Sequence, residues 1–167
     1  MGGIKRWWSE ITAPVTAQPV PKVEPKAEDL LHMEIAKGEI GQSEFPGSGK
    51  NPRIAEYHKA AGYKGTEDDA WCSSYACWVL EKAGYKSTNS AWARSFLEYG
   101  EKLTKPKYGC LVIYSREPAG SGNGHVHFYH SETATHILGI GGNQDNLVKV
   151  KAYPKSAVLG YRWPIKA

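Results

Sequence analysis

Cys72 stands in Trp71-Cys72-Ser73, just ahead of the apolar run Ala76 to Leu80, and a thiol there can attack a carbonyl carbon. The attacking form is the thiolate. Unsatisfied amide hydrogens and the positive dipole end of a helix start favour that form, so the position predicts a lowered pKa. The amide of the nucleophile itself can donate to the oxyanion of an acyl-transfer intermediate. Of the other two cysteines, Cys77 lies roughly 140° further around the same helix and Cys110 opens an apolar strand; both read as buried small hydrophobes. Three cysteines cannot all pair within one chain, so at least one thiol is free.

A thiol nucleophile needs a base, and six histidines compete: His32, His58, His125, His127, His130 and His136. His32 and His58 fall on early helical segments, where surface or packing roles suffice. His125, His127 and Tyr129 share strand parity and hence one face, and His130 points the other way. His125 follows the turn Gly120-Ser-Gly-Asn-Gly124, which can border a cleft, and is the preferred base, with His127 as the alternative. Asn143, in Gly141-Gly142-Asn143-Gln144, can accept from a ring nitrogen and fix the tautomer of the base. On spacing alone, ordinary hairpin chemistry stands ahead of that role for Asn143.

Positioning these groups requires four short helices followed by strands. Helices are predicted from about Asp29 to Lys37, from Asn51-Pro52 to Gly62, from Ala70 to Ala83 with Asp69 as cap, and from Ala91 to Tyr99 between Ser90 and Gly100. Five β-branched and aromatic runs follow, at Cys110–Tyr114, Val126–Tyr129, His136–Ile140, Leu147–Tyr153 and Val158–Trp163. Helices first and strands after them predict an α+β domain with a mostly antiparallel sheet. With 167 residues, one catalytic domain spanning 28–167 is expected, preceded over 1–27 by an arm and a Pro-rich linker. The arm carries Trp7 and Trp8 and is assigned no function.

Other features limit the function classes. A net charge of +4 is ordinary for a solvated surface and does not call for nucleic acid. No apolar run approaches the roughly 20 residues of a bilayer span, and the start lacks a secretory stretch. Stable membrane insertion is therefore not expected, and delivery to an extracellular substrate would need another agent. Neither a phosphate loop nor a metal-ligand cluster is present, so no cofactor or metal is expected; a monomer is.

Taken together, four blocks resemble the CHAP branch of the papain-like amidases over about residues 29 to 164. They are Trp71-Cys72-Ser73, Ser90-Ala91-x-Ala93-Arg94-Ser95, Gly124-His125-Val126-x-Phe128-Tyr129 and Gly141-Gly142-Asn143-Gln144. Asn51-Pro52-Arg53-Ile54 and Leu159-Gly160-Tyr161-Arg162 add to the likeness. The resemblance implies a papain-like fold, with helices packed on the sheet, and a peptidoglycan hydrolase cutting an amide at the muramic acid–peptide junction or within the peptides. Many similar proteins are phage endolysins or virion-associated lysins, which implies synthesis in the host cytoplasm and action on the wall. It further implies Cys72 as nucleophile, His125 as base and Asn143 as orienting group. Trp71, Trp92, Tyr129 and Gln144 are expected along the substrate groove, though core packing also explains the aromatics. Many CHAP domains carry a glutamate two residues before the asparagine, where this chain has Gly141. Gln144, or an acidic residue from elsewhere, can share that third role. A cysteine amidase acting on another substrate, or an inactive wall-binding module, would present the same residues.

Overall fold

The computed structural model describes residues 30–116 and 120–167. The predicted arm and linker, and the domain start near Glu28, lie outside them. Helices α1 (Leu31–Gly38), α2 (Pro52–Ala60) and α3 (Cys72–Lys82) come first. A 3₁₀ helix (Ala93–Glu98) leads into six strands: β1 (Glu101–Leu103), β2 (Leu111–Ser115), β3 (Gly124–Glu132), β4 (His136–Gln144), β5 (Leu147–Pro154) and β6 (Val158–Trp163). The strands form one sheet in the order β1-β6-β2-β3-β4-β5, and every pairing is antiparallel. The expected α+β class is what the chain adopts. No helix among the described residues is long and apolar enough to cross a membrane.

Strand alternation gives the sheet two faces. Leu111, Ile113, Val126, Phe128 and Ile140 point toward the helices and join Met33, Ile54, Tyr57, Trp71 and Tyr75 in the main core. Tyr57 anchors it, with ring centroids 5.8 Å from Trp71 and 5.3 Å from both Tyr75 and Trp78. On the other face Cys110, Val112, Tyr114 and Ile137 form a second, smaller cluster. The two histidines of interest belong to this second face.

α2 begins as the sequence predicts, with the Asn51 side chain accepting from the Arg53 amide (2.9 Å) and proline in the first turn. Glu67, buried, ties the segment before α2 to the approach to α3: its carboxylate accepts from the amides of Phe45 (2.9 Å) and Asn51 (2.6 Å). α3 departs from the prediction in starting at Cys72 with Trp71 at its N-cap and no side-chain cap. Asp69 instead accepts from the Thr66 amide (3.0 Å), closing the turn before the helix. This leaves the first amides of α3 free to face Cys72.

The fourth predicted helix is a 3₁₀ segment. Ser90 is not its cap: Trp92 holds the N-cap position with no side-chain cap bond, and the Ser90 hydroxyl accepts from the Trp92 amide (3.2 Å) in the turn before the segment. The Leu97 carbonyl is taken by the Arg162 guanidinium, and Gly100, at φ 63°, turns the chain directly into β1. Pairing of Glu101–Leu103 with Tyr161–Trp163 therefore competes with continuation of the helix.

Candidate active site

Cys72 occupies the first position of α3, and its thiol lies against the backbone of Val126 on β3. It is nearly fully buried, at 4% exposure, and burial raises its pKa; the nearby Arg116 charge and the amides of Val126, Ser73 and Cys72 oppose that rise without cancelling it. The thiolate expected from the helix start is therefore not the resting form. Loss of solvent outweighs the helix dipole at this depth, and the thiol is neutral.

His125, paired with Tyr114 across β2 and β3, is completely buried on the second face. One hydrogen-bond assignment is consistent for His125, His127 and Gln144. The Gln144 amide nitrogen donates to the carbonyls of Gly139 (3.2 Å) and Lys149 (2.6 Å), which turns Oε1 toward the histidines. Oε1 then accepts from His125 Nε2 (2.9 Å) and from His127 Nδ1 (3.1 Å). His127 Nε2 accepts in turn from the Tyr114 hydroxyl (2.7 Å). His125 thus carries its proton on Nε2 and keeps the Nδ1 lone pair as its basic site. Both ring nitrogens of His127 are engaged inside the protein, so the alternative base is a buried structural histidine.

The sequence reading has Asn143 as the orienting group; the structure gives the His125 ring to Gln144. Strict alternation along β4 would put Asn143 on the face of Gly139 and Gly141 and turn Gln144 toward the helices. Instead the β4–β5 register shifts between Gly141 and Gln144, with Asn143 at φ 53°. Asparagine tolerates this left-handed conformation better than most residues, and the extra residue of the bulge returns Gln144 to the histidine face. Among the described residues the Asn143 side chain makes no hydrogen bond. Asp145 and Asn146, at φ 56° and 64°, then close the β4–β5 hairpin as expected of a type I′ turn.

Two glycines make room for this network. A Cβ on Gly139 would lie 2.4 Å from the His127 ring, and one on Gly141 would lie 2.8 Å from Gln144 Oε1 and from His127 Cβ. The glutamate that the resemblance expected at 141 has no space here, because Gln144 and His127 fill it.

The groove also differs from expectation. Cys72 borders a cleft of about 380 Å³ with Ala70, Trp92 and Gly124, and His125 borders another of about 470 Å³ with Tyr114 and Tyr153. Among the described residues Arg116 alone lines both, and its Nη2 lies 3.4 Å from His125 Nδ1. No hydrogen bond joins Cys72 to His125 in this arrangement. Trp92, 58% exposed and donating to the Gly122 carbonyl (3.1 Å), stands at the rim of the thiol cleft. Trp71 does not: it is fully buried, its indole donating to Glu44 (2.9 Å). Tyr129 packs beside the second cluster and lines neither cleft, and Gln144 is fully buried behind His125. Arg116 was the functional candidate missed in the sequence, because nothing in Ser115-Arg116 marks a cleft.

Burial depresses His125 well below the ordinary imidazole range and His127 to about 4, and it lowers His32 and His58 as well. A folded-state pKa below the unfolded value of 6.5 means the unfolded chain binds protons first as pH falls. The resulting stability is fully present above pH 6.5 and is lost on acidification through each folded pKa. For His127 alone the shift from 6.5 to about 4 corresponds to on the order of 3 kcal/mol. Urea midpoints should therefore drop progressively between pH 7 and pH 4.5, and a midpoint constant over that range would contradict neutral burial of these rings.

The CHAP domain model matches residues 61–143, about half of the chain, a span holding Cys72 and His125 and ending one residue before Gln144. No curated protein matches the chain in sequence. A solved structure described as similar to lipoprotein, NLP/P60 family, from Staphylococcus aureus subsp. aureus Mu50 superposes with a TM-score of 0.51 at 16% identity. The superposition covers 90% of this chain and 45% of that one, so the chain spans less than half of that protein. At such identity the likeness concerns the fold. In sequence over about half its length the chain is similar to the CHAP domain, and in fold over most of its length to an NLP/P60 protein.

Proposed function

We propose that the chain is a cysteine peptidoglycan hydrolase, an amidase or endopeptidase, whose catalytic domain begins near residue 28. The carrying observation is the His125–Gln144 hydrogen bond, which holds the base with its lone pair on Nδ1, beside the arginine that also borders Cys72. The CHAP match over the cysteine and histidine blocks supports the wall as substrate. The blocks that resemble phage lysins support a role in phage lysis or entry, with the protein made in the host cytoplasm and acting on the wall.

In the proposed reaction His125 Nδ1 takes the Cys72 proton as sulfur attacks the amide carbonyl, once the arginine has left that lone pair. The free amides at the start of α3 receive the oxyanion. Collapse breaks the C–N bond, and the amine leaves with the proton from His125. Water, deprotonated by His125, then attacks the thioester, releasing a carboxylic acid and the thiol. Both nucleophile and base rest neutral, so attack is general-base catalysed rather than starting from a preformed ion pair.

The test is digestion of purified peptidoglycan. Free amino groups should rise while reducing ends stay constant, and product masses name the bond. Release of reducing ends, or no release from walls of several chemotypes, would remove this reading.

A further inference from the structure

The two half-clefts meet at Arg116, and its electrostatic situation differs from that of the other described arginines. Arg53 pairs with Glu39 and Glu56, Arg94 donates to Asn123 O and Ser115 Oγ, and Arg162 to Leu97 O. Arg116 has neither a carboxylate nor a carbonyl oxygen at its guanidinium among the described residues; it donates to His125 Nδ1 and acts on the neighbouring Tyr153 hydroxyl, both neutral groups. A guanidinium stays charged at any working pH, and its planar fork matches a carboxylate. Here that fork is held in the groove, between the cleft of the nucleophile and the cleft of the base.

We infer that Arg116 is the specificity residue of the groove and takes a substrate carboxylate adjoining the scissile amide. The inference rests on the acyl-transfer reading of Cys72 and His125 and narrows its substrate to acidic peptides. It also accounts for the resting contact. The lone pair that must accept the Cys72 proton is the one Arg116 now occupies at 3.4 Å. A carboxylate is a stronger acceptor for the guanidinium than a neutral imidazole, so a substrate that carries one draws Arg116 off Nδ1 and joins the two clefts over the thiol. A substrate with a carboxamide at that place leaves the base engaged.

The experiment uses pairs of synthetic wall peptides identical except for a carboxylate or carboxamide on the residue next to the cleaved bond. Their kcat/KM values are compared in wild type, Arg116→Lys and Arg116→Ala. Wild type should favour the carboxylate by roughly 10- to 100-fold, the scale of one charge-assisted pair. Arg116→Ala should bring the ratio near one, and Arg116→Lys should fall between. Arg116 is exposed, so melting temperatures should not move. A wild-type ratio of one, or an unchanged ratio in Arg116→Ala, overturns the inference. If wild type cuts neither peptide, the proposed hydrolase function is what fails. Calorimetric binding of the same pair to the Cys72→Ala variant then decides Arg116 separately, with equal affinities counting against it and a carboxylate preference for it.

Discussion

Cys72→Ala is expected to release no amino groups from peptidoglycan above the level without enzyme, a loss in kcat/KM of at least about 10³-fold. The effect is large because in the proposed mechanism the sulfur forms the covalent intermediate, and a methyl group cannot replace it. The site is nearly closed and the change in side-chain volume small, so the melting temperature should move by only a few degrees. Cys72→Ser should be almost as inactive, because the same neutral imidazole would have to deprotonate a far weaker acid. Alkylation gives a second readout. The neutral resting thiol predicts that iodoacetamide labels Cys72 slowly at pH 6 and progressively faster as the pH rises above neutrality. Rapid labelling at pH 6 would show a resting thiolate and sink the general-base mechanism, while full activity in Cys72→Ala would move the nucleophile elsewhere.

Replacing Gln144 should have the next largest effect. Gln144→Leu removes the acceptor of His125 Nε2 and His127 Nδ1 and both donors to Gly139 and Lys149. The imidazole then lacks the partner that fixes its tautomer, and kcat should fall by roughly two to four orders of magnitude. Three buried bonds and one part-buried bond are lost, so stability should fall too, and loss of fold must be separated from loss of orientation. Gln144→Glu, which also loses the donors to Gly139 and Lys149 but keeps the acceptor, separates them when its melting temperature is compared with that of Gln144→Leu. It keeps an acceptor for both rings and places a charge beside them, so the acid limb of the kcat/KM profile should move to higher pH while activity is partly retained. Asn143→Gly keeps the left-handed backbone and should retain activity within a few-fold. If Asn143→Gly is as damaged as Gln144→Leu, the third role belongs to Asn143 after all.

Much of this architecture is legible in the sequence. The Asn51-Pro52 cap, the positions of α2 and α3, and the span of β6 follow from local chemistry that tertiary packing did not override. β1 was not legible, because Glu101-Lys102-Leu103 is a short, charged edge strand whose only reason to extend is pairing with β6. Parity correctly put His125 and His127 on one face, since nothing interrupts β3 between them. The same rule failed at Gln144 because a bulge is a backbone event that Gly-Gly-Asn permits but does not announce. The thiol state was misjudged for another reason: a helix start can be read from sequence, but depth below the surface cannot.

The bulge at Asn143 has a consequence for how columns in an alignment are matched to chemical roles. Gln144 reaches the two histidines because one additional residue sits between Gly141 and the hairpin turn, so the contact belongs to a backbone offset as much as to a letter. A single-residue deletion there would keep every neighbouring motif readable and still swing the amide to the opposite side of the sheet. Two chains that align across Gly141-Gly142-Asn143-Gln144 can therefore carry the third group on different letters, and transferring the role by column alone would assign it to the wrong side chain.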